Sequence, residues 1–456
     1  MKIADVYSRQ VGFFATNATK NVAFRIEQLR KLKGLIKANE ALMFEAIYDD
    51  FGKSEFETFI TEFSLIYEEI NLAMKHLRRW SKRRRVATSV VNFPATSYIV
   101  PEPLGVTLVI GAWNYPFQLS LVPAIASLAA GNTVVLKPSE LPSRTSAAMA
   151  SLINAHFAPE YFRVVEGGIT ETTELLEHRF DKIFFTGSTP VGKIIYQAAA
   201  KHLTPVTLEL GGKSPVFVLA DTDIKTTAKR IVWAKFLNAG QTCVAPDYIL
   251  VEKSVENTLL EALRAEIMQL HPDSEGLREN YTRIINEKNV DRLIRLIDKD
   301  KVFYGGRIDR EQRLIEPTIL HGINFEDAVM KEEIFGPLLP VLSFEKLEGA
   351  IQLVKEHPKP LSCYIYSRNR SSIKKIINEV SFGGGAVNDS IMHLTNSNLP
   401  FGGVGHSGIG SYHGKFGFDT FSHYKSIMDK PFWFDPFVKY PPYSALKFKL
   451  VKWLFK

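Results

Sequence analysis

Only two cysteines, Cys243 and Cys363, occur in 456 residues. They leave no material for a disulfide framework, so a reducing compartment is expected. The cysteines, histidines and acids show no metal-ligand spacing. No apolar run approaches the length of a bilayer span; Leu121 to Ala130 comes nearest, at about half of it, and reads as a buried helix. The opening residues Met1-Lys-Ile-Ala-Asp-Val-Tyr7 lack the apolar core of a secretion signal, and a cytoplasmic protein is expected. Internal repeats and low-complexity linkers are missing as well.

What is present fits an ordinary globular enzyme, with 45% hydrophobic and 23% charged residues. The chain is too long for one core, so two or three domains are expected. The net charge of +7 is unevenly placed. Arg78, Arg79, Lys82, Arg83, Arg84 and Arg85 follow one another without an acid, and the tail from Pro431 sets five lysines against Asp435. These two stretches carry more positive charge than the whole chain. No nucleic-acid motif accompanies them, so no nucleic-acid partner is expected and an anionic membrane surface is the more economical reading. A solvated helix end accounts for the first run equally well.

Residues up to about 80 show helical spacing, as in Phe24, Leu29, Leu32, Leu35 and Ile36. From Val106 onward, short apolar runs alternate with amphipathic stretches. Val106–Gly111, Thr133–Leu136, Phe162–Val165, Lys182–Phe185 and Val206–Leu210 read as strands with helices between them. That alternation predicts an α/β chain with a doubly wound parallel sheet. A second series follows Gly211-Gly212, with strands at Val216–Leu219, Tyr248–Val251, Val302–Tyr304, Leu338–Phe344 and Cys363–Tyr366. Residues 398 to 425, rich in glycine and aromatics, read as irregular or edge-like.

Chemistry-bearing residues sit at the ends of these elements. Phe184-Phe-Thr-Gly-Ser-Thr-Pro-Val-Gly192 joins a strand to a helix. Ser188 suits an N-cap, Pro190 the first turn, and Gly187 and Gly192 close approach of a phosphate. The G-x-G-x-x-G spacing is absent there, so the spacing alone is weak evidence and a plain strand-to-helix turn fits the run equally well. Lys137 and Glu140 end the second strand, where ribose hydroxyls would be met. Glu209 closes an apolar strand before Gly-Gly, a setting that raises a carboxyl pKa and suits a general base. The amide of Asn114, in Gly111-Ala-Trp-Asn-Tyr-Pro116, is a candidate oxyanion donor. Asn238-Ala-Gly-Gln-Thr-Cys-Val-Ala-Pro-Asp-Tyr248 puts Cys243 on a loop, where a nucleophile needs its thiolate favoured. Cys363, inside an apolar strand, reads as a small core hydrophobe. Glu332-Glu-Ile-Phe-Gly-Pro337 offers Glu333 to a ribose and Phe335 to a cofactor face.

Taken together with Pro400-Phe-Gly-Gly403, these runs resemble the aldehyde dehydrogenase superfamily. Tyr412-His-Gly-Lys-Phe-Gly-Phe-Asp-Thr-Phe-Ser-His423 looks like its class 3 branch, which includes fatty aldehyde dehydrogenases. The resemblance implies a dinucleotide-binding domain over 1–210, with a bridging segment near 85–100. It further implies a catalytic domain over 211–395 and a bridging or dimerisation segment over 396–430. Cys243 would be the nucleophile, Glu209 the base and Asn114 the oxyanion donor. Trp113, Lys137, Glu140, Thr186, Gly187, Ser188, Gly192, Glu333 and Phe335 would hold NAD or NADP. The expected partners are an aldehyde, a second copy in a homodimer and, through the tail 431–456, a membrane periphery. On a helical wheel of Tyr443 to Lys456, Lys449, Lys452 and Lys456 share one side; a lid over a greasy substrate funnel or docking on the protein itself serve the same pattern. Two other functions stay open at this level: a cysteine-dependent esterase or thioesterase, and a non-catalytic, membrane-associated relative.

Overall fold

The computed structural model describes residues 1–270 and 281–455. Two largely parallel sheets carry the molecule, beside an antiparallel three-stranded sheet and a two-stranded one.

The first sheet has the strand order Gly408–Ile409, Val206–Glu209, Lys182–Thr186, Val106–Ile110, Thr133–Lys137, Phe162–Val164. All neighbours pair in parallel except Gly408–Ile409, an antiparallel edge on Val206–Glu209. Val106–Ile110 is buried along its whole length, as a central parallel strand must be. Its side chains alternate between two cores. Val109 faces one with Val134, Leu136 and Phe184, beneath Leu29, Phe63 and Phe117. Leu108 and Ile110 face another with Val135, Ile183 and Phe185. Order reverses between Val106–Ile110 and Lys182–Thr186, so a crevice opens beyond their carboxyl ends.

The helix Pro116–Ala130 is buried at every residue and fills one face of this sheet. Pro116 opens it, where a missing N–H costs nothing, and Gly131 at φ +99° closes it by donating to Ser127 and Leu128. Phe184 packs edge-on against Tyr412 and stacks on Phe421, which ties residues 398–425 to the sheet. Truncating such a side chain costs about 3–5 kcal/mol.

The second sheet has the order Val302–Tyr304, Thr318–His321, Leu338–Phe344, Tyr248–Glu252, Pro215–Val218, Ser362–Tyr366, Gly384–Val387, parallel except for its antiparallel first strand. It therefore has two strands, Thr318–His321 and Gly384–Val387, that the apolar pattern did not reveal. The third sheet pairs Thr96–Pro103 with Arg84–Val86 on one side and with Ser422–Asp429 on the other. Most of its residues are exposed, so no periodicity announced it. Residues 398–425 also hold the helix Gly414–Thr420. No helix among the described residues is long and apolar enough to cross a membrane.

Candidate active site

Asn114 lies just past the central strand Val106–Ile110. Its backbone carbonyl accepts from Asn238 Nδ2 at 2.9 Å, and its own Nδ2 donates to Gln241 O at 3.0 Å. One amide hydrogen holds the cysteine loop, which leaves the second for a substrate. The cysteine loop begins where the helix Ile224–Phe236 ends. Asn238, Ala239 and Gly240 take left-handed backbone angles, φ 55°, 52° and 72°, and reverse the chain. Such angles are costly in non-glycine residues and cluster at functional sites. Gly240 is required for a second reason: a Cβ there would lie 2.3 Å from Gly336 O. The cysteine loop and the loop of Glu333 thus touch backbone to backbone. Lys213 fixes the latter, donating to Val329 O at 3.0 Å and Glu332 O at 2.9 Å, while Asp247 accepts from Ile334 N at 3.0 Å.

Cys243 is partly exposed and lines a cavity of about 230 Å³. Burial, and then the charges of Glu333 and Glu209, push its thiol up to about 12, although the backbone N–H groups of Cys243 and Val244 favour the thiolate. The sequence reading asked for surroundings that favour the thiolate. In the structure burial and the two carboxyls work against that form, and backbone N–H groups work for it. Glu209 ends its strand 3% exposed, and neither carboxylate oxygen has a hydrogen-bond partner among the described residues. Burial holds its carboxyl well above the usual range, as the apolar strand implied. Glu333 is pushed up to about 8, by burial first and then by Asp247. Cys363 is buried within its strand.

The expected cofactor residues line the carboxyl ends of the first sheet. Gly187 and Gly192 pack so closely that Cβ atoms would lie 2.5 Å from Phe185 Cζ and 2.7 Å from Leu210 Cδ2. Thr186 Oγ1 is buried without a hydrogen-bond partner among the described residues. Ser188 occupies the N-cap position of the helix Thr189–Lys201, but its side chain makes no capping bond, contrary to the sequence reading. Lys137 is buried and its Nζ lies 3.2 Å from Glu140 Oε2. Across the crevice, Trp113 and Phe335 meet edge to face with ring centroids 5.2 Å apart. A Cβ on Gly211 would lie 2.1 Å from Glu333 Oε2, so only glycine admits that carboxylate. The glycine-lined switch point, the unpartnered Thr186 hydroxyl and the pinned Glu333 fit a dinucleotide, with phosphates at a helix start and ribose hydroxyls at carboxylates. No cluster suited to a metal ion occurs among the described residues.

Sequence reasoning missed several neighbours of the sulfur. Tyr115 OH and Thr242 Oγ1 are 2.6 Å apart, and both line the cavity with Gln118 and Tyr412. Tyr115 and Thr242 adjoin Asn114 and Cys243 in sequence, and that adjacency was the only signal.

A buried carboxyl, a thiol and an amide beside a crevice that fits a dinucleotide are the arrangement of a nicotinamide-dependent oxidoreductase. The chain belongs to the aldehyde dehydrogenase family, which its residues 12–427 match. It is an aldehyde dehydrogenase of the class 3 type, using NAD or NADP. It is 47% identical over 446 residues to the 4,4′-diaponeurosporen-aldehyde dehydrogenase of Staphylococcus aureus, covering 97% of each chain. It is 46% identical to the dimeric NADP-preferring aldehyde dehydrogenase of Rattus norvegicus, covering 94% of each. The substrate-bound state of Staphylococcus aureus AldH superposes with a TM-score of 0.98 at 46% identity over 100% of both chains. An indole-3-acetaldehyde dehydrogenase complexed with NAD+ gives 0.84 at 27% identity, covering 94% of this chain and 89% of that one.

Proposed function

We propose that this enzyme oxidises a long, lipophilic aldehyde to its carboxylic acid through a bond to Cys243. The observation that carries this reading is the cavity at the sulfur, whose walls are largely apolar: Leu65, Leu119, Trp233, Leu237, Ile391 and Phe401. A hydrocarbon chain gains from each methylene buried there, about 0.8 kcal/mol. The relative acting on diaponeurosporenal, a polyene aldehyde, supports the same class.

Cys243 gives up its proton to solvent, and the thiolate adds to the aldehyde carbon. The oxyanion accepts hydrogen bonds from the free Asn114 amide hydrogen and the Cys243 backbone N–H. When bound, the nicotinamide cofactor supplies a hydride acceptor with a positively charged ring; Glu333 and Phe335 would hold that end, and Lys137, Glu140, Thr186, Gly187, Ser188 and Gly192 the remainder. The oxidised carbon stays on Cys243 as a thioester. Glu209 then takes a proton from water, hydroxide adds to the thioester carbon, and the acid leaves as the Cys243 sulfur is released. The apolar walls exclude bulk water until that stage.

In this reading residues 1–210 serve the cofactor, 211–395 the chemistry, and 84–103 with 422–429 form a dimer-bridging sheet. The exposed edge of Ser422–Asp429 and the dimeric rat relative support a homodimer. The tail adds a peripheral membrane contact. Its helix, Ala445–Leu454, buries no residue and exposes Leu446, Phe448, Trp453 and Leu454 beside Lys447, Lys449 and Lys452, an interfacial pattern. Lys456 falls outside the described residues. The deciding test is growth of reduced-nicotinamide absorbance over a panel of aromatic, aliphatic and polyene aldehydes. Turnover should rise with chain length and vanish in Cys243→Ser; ordinary turnover in that variant would sink the assignment.

A further inference from the structure

Lys53, Glu57 and Glu62 belong to none of the motifs that identify the family, and they lie more than 50 residues from Asn114 and more than 180 from Cys243 in sequence. They nonetheless tie both loops down. Ser54 caps the short helix Glu55–Thr58, which runs into a π-turn, Phe59–Phe63. Single π-turns inside helices recur at functional sites because they re-aim side chains. Here Ile60 and Thr61 line the cavity wall, while Glu62 is buried away from that lining.

Glu62 is fully buried, and both its oxygens are engaged. Oε1 takes the Lys53 ammonium at 2.9 Å, and Oε2 accepts the N–H groups of Phe117 at 2.8 Å and Gln118 at 3.2 Å. Those are the first two free donors of the helix Pro116–Ala130, whose own N-cap residue, Tyr115, offers no side-chain cap. A carboxylate from another element therefore caps the helix two residues beyond Asn114, where the helix dipole favours it. Lys53 Nζ also lies 4.7 Å from the centre of the Tyr115 ring, whose hydroxyl reaches Thr242 beside Cys243. Glu57 holds the other loop: its Oε1 accepts from Asn238 N at 2.8 Å and Thr282 Oγ1 at 3.2 Å. With the Asn238 backbone held in this way, its side-chain Nδ2 donates to Asn114 O and, at 3.1 Å, to Gln241 O, the carbonyl that also receives Asn114 Nδ2.

We propose that Glu57 and Glu62 are positioning residues of this dehydrogenase: they set the Asn114 amide and the Cys243 loop at the spacing the oxyanion requires. The proposal rests on the reading of Asn114 as oxyanion donor. Neither carboxylate lines the cavity at Cys243. They act through the helix start and through Asn238, and a misplacement of about 1 Å is worth up to about 100-fold in rate.

The test is a double-mutant cycle between Glu57 and Asn114 in the full-length enzyme, read as kcat/KM for an aliphatic aldehyde, KM for NAD and melting temperature. Glu57→Ala should lower kcat/KM by about 10- to 100-fold with KM for NAD unchanged. Glu57→Gln, which keeps the accepting oxygen, should recover to within about threefold of wild type. Combined with Asn114→Ala, Glu57→Ala should add almost nothing, since the group it positions is already gone. If Glu57→Ala does not fold, the neutralised pair Lys53→Met with Glu62→Gln takes its place in the cycle. Losses that multiply in the double variant, or a Glu57→Ala enzyme of ordinary rate beside a crippled Asn114→Ala, overturn the positioning role. Ordinary turnover in Asn114→Ala would instead remove the donor itself, and the positioning role with it.

Discussion

Replacing Gly211 by alanine perturbs the cofactor end of the site alone. The new Cβ would start 2.1 Å from Glu333 Oε2 and 2.6 Å from its Cδ. Carbon and oxygen do not approach much inside 3 Å, so the carboxylate must retreat by roughly 1 Å. It has little room, because Arg292 holds Ile334 O at 2.7 Å and Asp247 holds Ile334 N at 3.0 Å, and these fix the backbone next to it. Gly211 does not need a left-handed backbone, so the substitution is free of that strain and the fold should survive. A displacement of this size costs about 10- to 100-fold when the displaced group orients a reactant. The expected result is a KM for NAD raised about tenfold or more, an aldehyde KM near its original value and a melting temperature within a few degrees. Steady-state kinetics with NAD varied, beside a thermal melt, measure all three. A Gly211→Ala enzyme whose NAD kinetics match wild type within twofold would show that Glu333 does not hold the cofactor.

Four further outcomes are expected. Glu209 has its pKa raised by burial, so its basic form grows as pH rises, and thioester hydrolysis should quicken toward alkaline pH; Glu209→Gln should abolish that limb in a pH–rate profile while a first, covalent turnover persists. The same raised pKa means that folding favours the protonated carboxyl: its stabilisation is present at low pH and fades as pH climbs through the folded value. The Gln variant should therefore melt higher than wild type at alkaline pH and no higher at acid pH. Glu140→Gln removes the acid paired with Lys137 at 3.2 Å and leaves that ammonium free for a 2′-phosphate, so the ratio of KM values should shift toward NADP by about 5- to 10-fold. Truncation after Tyr440 should lower co-sedimentation with anionic liposomes; equal binding with and without the tail would place the membrane contact elsewhere.

The first sheet was legible because each of its parallel strands is a short, mainly apolar run, with a helix between one and the next. Glu209 stood out as the only acid at the end of such a run before Gly-Gly, and Cys243 because few other cysteines compete for attention. The missed strands fail the same test: Thr318–His321 has four residues, and Gly384-Gly-Ala-Val387 is mostly glycine and alanine. The three-stranded sheet escaped because it joins residue 96 to residue 429 and turns mostly exposed residues outward. Glu57 and Glu62 were invisible for a related reason. A glutamate that caps a helix or a loop from a distant element leaves no local spacing behind, since the pattern belongs to the pair.

A thiol whose pKa is raised by burial and by the carboxyls of Glu333 and Glu209 has a consequence for the protein's lifetime. Peroxides and alkylating agents, the oxidised lipids among them, consume thiolates and largely spare thiols. A cysteine set beside buried carboxyls that raise its pKa offers such reagents little thiolate, so catalyst molecules should age slowly between meals of reactive aldehyde.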